Sequence, residues 1–102
     1  MRWYHHLYMG EQARKNRYRI VGKIRWNKFQ MNVYVITLAS NKKDLLDIYP
    51  SYVLQQKHFQ RQDYLIVGIA KGYEEAVEVA TKILMEVYTK TGSFGIREYI
   101  GG

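Results

Sequence analysis

A chain of 102 residues has the size of one domain, and at this length folding buries roughly 65% of the surface that the unfolded chain exposes, enough for a core without metal or disulfide staples. The absence of cysteine excludes disulfides and thiolate metal sites and suits a reducing cytoplasm, the expected location. No apolar run reaches the ~18 residues of a membrane span, and with 47% hydrophobic and 25% charged residues the composition opposes disorder.

The net charge of +7 is not spread along the chain. In the first 28 residues Arg2, Arg14, Lys15, Arg17, Arg19, Lys23, Arg25 and Lys28 face Glu11 alone, and from Phe29 onward eight basic residues balance eight acidic ones. The whole surplus therefore lies in the first quarter.

Residues 1–10 lack the apolar centre of a signal peptide. Trp3, Tyr4, Leu7 and Tyr8 recur at i, i+1, i+4 and i+5, which predicts a helical turn or folded arm laid against the core. His5 and His6 have no third ligand or carboxylate nearby, and adjacent residues on a helix do not face each other.

Residues 11–28, EQARKNRYRIVGKIRWNK, separate apolar from charged groups in either of two conformations. As a strand, Tyr18, Ile20, Gly22, Ile24 and Trp26 alternate with Arg19, Val21, Lys23 and Arg25. As a helix, Ala13, Ile20 and Ile24 make an inner line, with Arg14, Lys15, Arg19, Lys23 and Arg25 spread over the outer side together with Tyr18 and Trp26. The helix is preferred, because Glu11 precedes Arg14 and Lys15 at favourable spacings and Ala, Arg, Lys and Gln are good helix formers. Gly22 opposes it by about 1 kcal/mol relative to Ala.

The polar run NKFQMN, residues 27–32, reads as a loop. VYVITLAS, residues 33–40, is mostly β-branched or aromatic and apolar at both parities apart from Thr37, the pattern of an interior strand. Turn chemistry at residues 40–43 predicts a hairpin onto residues 45–49, ended or marked as an edge by Pro50, after which Ser51 is placed to cap a short helix through Tyr52, Val53 and Leu54. Residues 63–70, DYLIVGIA, make a second interior strand, with Gly68 expected at a bulge or close contact. A helix then follows with Ala76, Val77, Ala80, Ile83, Leu84, Val87 and Tyr88 on its core face, Glu74 and Glu75 at its positive end, the pairs Glu78–Lys82 and Glu86–Lys90, and Gly92 as a left-handed C-cap. The tail, with Phe94, Ile96, Tyr99 and Ile100, packs back on the domain.

This order predicts a single α+β domain over residues 1–102: a small two-layer sandwich whose three-stranded sheet, a hairpin plus one strand, is packed by two amphipathic helices, in the order α-β-β-(short α)-β-α.

Catalytic chemistries find little footing. Ser40, Ser51 and Ser93 stand at turns without a nearby His-acid pairing, Asp44 and Asp47 are not arranged as a catalytic pair, and His58 reads as a loop residue. Lys71 and Gly72 lie between a strand and a helix start, where anions bind, but Glu74 and Glu75 would repel a phosphate there. The reading is therefore non-enzymatic, with no cofactor, metal or membrane partner. The uncompensated cations Arg14, Lys15, Arg19, Lys23 and Arg25 point to a small binding or accessory protein that contacts nucleic acid through its backbone, without sequence specificity. Tyr18 and Trp26 are placed to stack on bases or to enter an interface. The alternative is a protein-interaction module, a homodimer or a dock for an acidic protein, with no nucleic-acid role.

Overall fold

The computed structural model describes residues 2–38, 45–57 and 64–101; the turn expected at residues 40–43, Asp44 and His58 lie outside them.

The opening segment is a strand, β1 (Arg2–Met9), rather than a helical arm. It lies parallel to β4 (Leu65–Lys71), with Trp3 opposite Ile66 and Tyr8 opposite Gly68. Five residues of β1 thus advance while β4 advances two. This interruption accounts for the misleading spacing: Trp3, Leu7 and Met9 pack into one cluster while Tyr4 and Tyr8 pack into another. Apolar residues at both parities, broken by a pairing offset, imitate helical periodicity.

The expected hairpin is present. β2 (Val33–Leu38) pairs antiparallel with β3 (Leu46–Pro50), from Tyr34 opposite Pro50 to Leu38 opposite Leu46. β2 also pairs antiparallel with β4, giving one mixed four-stranded sheet in the order β1-β4-β2-β3, so β3 and its proline stand at an edge. Ser51 does not cap the following 3-10 turn (Ser51–Gln55); it is the first residue inside that turn, and its Oγ is buried without a partner among the described residues.

The helices are α1 (Glu11–Arg14), α2 (Arg17–Arg25), α3 (Tyr73–Thr91) and α4 (Ile96–Ile100). The two-layer arrangement is corrected to three layers. Ile36, Leu38, Leu65 and Val67 join residues of α3 and α4 on one side of the sheet, whereas Val33, Val35, Ile66 and Ile69 join Ala13, Ile20 and Ile24 of α1 and α2 on the other. The reason lies in β2 and β4 themselves, whose consecutive residues are apolar and must be covered on both faces. Gly68 meets its two expectations together. It sits at a register shift between β2 and β4, and a Cβ there would come within 3.1 Å of Val79 Cγ1 and 3.2 Å of Ile36 Cδ1.

Along α3 the buried line is Ala76, Val79, Ile83 and Val87. The face is rotated from the expected one, leaving Val77 and Tyr88 exposed. Gly92 closes the helix at φ +76°, its N–H donating to the Tyr88 carbonyl at 2.7 Å, and Lys90 Nζ lies 4.0 Å from Glu86 Oε1. No helix among the described residues is long and apolar enough to cross a membrane.

Glu75 does more than oppose its own helix dipole. Its carboxylate accepts the N–H of Lys71 at 2.6 Å, of Gln12 at 2.6 Å and of Ala13 at 3.3 Å. It therefore neutralises the open donors at the start of α1, on an element 63 residues away in sequence. Gly10 makes room for this contact, since a Cβ there would fall 2.2 Å from Glu75 Cδ.

Glu75→Gln should lower stability by about 1 to 3 kcal/mol in urea unfolding, the range for losing charge-assisted bonds to backbone donors; Gly10→Ala should also destabilise, by displacing the carboxylate.

A second prediction concerns pH. Burial and then the Glu86 carboxylate, to which the Tyr8 hydroxyl donates, hold the Tyr8 pKa well above its ordinary value. Burial and then Asp47, which accepts from Tyr49 at 3.0 Å, raise the Tyr49 hydroxyl. Burial raises Tyr64. The unfolded chain releases these protons near the ordinary value of 10.0, before the folded chain does. Stability should therefore be fully present below about pH 10 and fall as pH rises through the folded-state values, and Tyr8→Phe should flatten that fall in alkaline denaturation curves.

Candidate functional site

The cationic segment folds as two helices because Asn16, at φ −126° and ψ 30°, interrupts it. A new start follows, with the Ile20 N–H bonded to the Asn16 carbonyl at 3.0 Å. From there Ile20 and Ile24 are buried against Val35, Leu54 and Ile66, as the helical reading expects, and the strand reading is excluded. On the opposite side Tyr18, Gly22 and Trp26 recur at i, i+4 and i+8, one line facing away from the core.

The end of α2 is a Schellman turn. Lys28 N–H reaches the Lys23 carbonyl at 2.8 Å and Asn27 N–H reaches that of Ile24 at 3.1 Å, with Asn27 in the left-handed region at φ 55°. Two side chains fasten the loop that follows. The buried Gln30 donates through Nε2 to the Ile20 carbonyl at 3.2 Å, and Gln55 donates to the Asn27 carbonyl at 2.7 Å. The chain thereby returns alongside α2, and Lys28 and Phe29 line the same groove as Lys23.

The result is a shallow groove of about 540 Å³ lined by Tyr18, Arg19, Gly22, Lys23, Trp26, Lys28 and Phe29. A depression of about 320 Å³ adjoins it at Tyr18 and Arg19 and is lined also by Arg14, Lys15 and Arg17. Another, of about 420 Å³, shares Arg19, Lys23 and Phe29 and extends to Met31 and Lys71. Among the described residues no acidic side chain lines any of the three. Tyr18, Trp26 and Met31 are 79%, 77% and 78% exposed, and Phe29 is 60% exposed.

Among the described residues no carboxylate lies within ion-pair distance of Arg14, Lys15, Arg19, Lys23 or Arg25. Arg17 turns instead to Tyr18, donating to its hydroxyl at 2.7 Å with its guanidinium carbon 4.7 Å from the ring centroid. Arg25 lies over Trp3 at 5.4 Å, on the β1 side.

Of the residues singled out from sequence, Arg19, Lys23, Tyr18 and Trp26 converge on the central groove and Arg14 and Lys15 on its neighbour, while Arg25 lines none of the three. Sequence reasoning passed over Arg17, Gly22, Lys28, Phe29, Met31 and Lys71 as parts of this surface. A signal existed for two of them: Phe29 and Met31 are large apolar side chains in an otherwise polar loop, and no core claims them.

Acids gather elsewhere. A depression of about 400 Å³ at the starts of α1 and α3 is lined by Glu11, Glu74, Glu75 and Glu78 beside Lys71 and Gly72, an environment that repels phosphate. No group of three or more metal-ligating side chains forms among the described residues. Compared with protein-family models, curated proteins and solved structures, the chain matches none significantly.

Asn27→Ala should lower stability by about 1 kcal/mol in urea unfolding, because alanine resists the left-handed conformation, whereas Asn27→Gly should be tolerated.

Proposed function

We propose that the face formed by α1, α2 and the loop after α2 binds nucleic acid through its phosphate backbone. The observation that carries this reading is the run of three adjoining depressions lined by lysine and arginine, with no acid among the described lining residues. Charges of one sign without carboxylate partners among the described residues raise the local potential and attract polyanions, and each phosphate met by a cation releases condensed counter-ions. The acids Glu11, Glu74, Glu75 and Glu78 line a different depression, which meets this run at Lys71. Backbone contact carries no sequence information, so affinity is general. The protein acts in this reading as a binding or accessory protein and not as an enzyme.

Edge-to-edge dimerisation has less support. Pairing along β1 is interrupted between Trp3 and Tyr8, and β3 is a five-residue strand ending at Pro50, both features that discourage strand addition.

Replacing Arg14, Lys15, Arg19, Lys23 and Arg25 by Gln should abolish retention on heparin or duplex DNA at about 0.1 M salt without unfolding the protein. With four phosphates engaged, log affinity of the wild type should fall against log salt with a slope near −3.6, roughly −0.9 per contact. Unchanged retention of the Gln variant would defeat the proposal.

A further inference from the structure

We infer that the central groove takes the base of an unpaired nucleotide, so that the protein prefers single-stranded nucleic acid to duplex; this rests on the backbone contact proposed above. Gly22 carries the inference. It lies inside α2, where glycine weakens a helix relative to alanine, yet its φ is not in the left-handed region and a Cβ there would meet nothing within 4 Å. Neither backbone strain nor packing asks for glycine at this position. What its missing side chain does is keep the floor of the groove open between Tyr18 and Trp26, one turn before and one turn after it.

The walls of this opening suit a flat, anionically tethered group. Tyr18, Trp26 and Phe29 leave large aromatic surfaces in water, and every base has a π-face that stacks on such rings. Arg19 and Lys23 line the same groove, placed to meet the phosphates on either side of an inserted base. A duplex offers its bases already stacked and paired, so these rings would meet only its sugar-phosphate exterior. A protein partner is less well matched, because a groove lined by cations, with no acid among its described lining residues, penalises any segment that lacks matching negative charge.

The test compares fluorescein-labelled oligothymidylate with a labelled duplex of equal length, by anisotropy at low salt, for the wild type, Gly22→Leu, Gly22→Ala and Trp26→Ala. The wild type should bind oligothymidylate more tightly than duplex, with quenching of tryptophan emission that Trp26→Ala removes. Gly22→Leu and Trp26→Ala should weaken oligothymidylate binding by about 5- to 150-fold, the range for losing one stacked base, and weaken duplex binding by a clearly smaller factor. Gly22→Ala should raise Tm by about 4 to 8 °C through helix propensity, showing that the fold does not need the glycine. Equal affinity for the two nucleic acids, insensitive to Gly22→Leu, would overturn base insertion and leave the backbone contact standing. Binding to neither would remove both, and capture of a labelled polyglutamate peptide in place of both would assign the face to an acidic protein partner.

Discussion

The placement of the cationic face depends on the carboxylate of Glu75. The start of α1 exposes backbone donors that no residue before it can satisfy, and α1 is too short to hold itself in place. Glu75 reaches from the first turn of α3 to two of those donors and to the end of β4. One side chain thus pins α1 to the sheet and to α3. It also commits a negative charge to backbone N–H groups, away from the lysines and arginines of α2. The segregation of charge follows from this use of acids at helix starts, because carboxylates that serve dipoles and open donors are not free to pair with the cationic helix.

The sheet supplies the other constraint. β2 and β4 are interior strands with apolar residues facing both ways, and one helical layer would leave half of that surface wet. The α3 and α4 layer is the heavier cover, and α1 with α2 forms a thinner one resting on Ala13, Ile20 and Ile24. A thin cover suits a binding face: two isoleucines seat α2, and the rest of its circumference is left for tyrosine, tryptophan, arginine and lysine.

Much of this was legible in the residues. The seat of α2, the hairpin, the two interior strands and the helix closed by Gly92 follow from periodicity and turn chemistry that act locally. What escaped was set by distant partners. β1 is a strand because β4 offers it an edge, and its own spacing, distorted where β1 advances three residues more than β4, points elsewhere. The doubled apolar parity of residues 33–38 already demanded cover on both faces, and counting two helices as one layer overlooked it. The same holds for the site. Gly22 looked like a flaw in a helix until the rings flanking it were placed, and Lys28 and Phe29 joined the groove through a Schellman turn that polar composition alone does not reveal.

The parallel pairing of β1 with β4 also sets an order of events. Arg2 is registered with Leu65, so β1 waits, without this partner, until the residues through β4 have been made. During that interval α2, with nine residues, is shorter than the roughly 12 to 15 that hold a helix in water by themselves. Until the sheet is there to receive Ile20 and Ile24, the basic segment lacks the packing that holds so short a helix. It gains its aromatic line and its groove only at the late closure that completes the sheet.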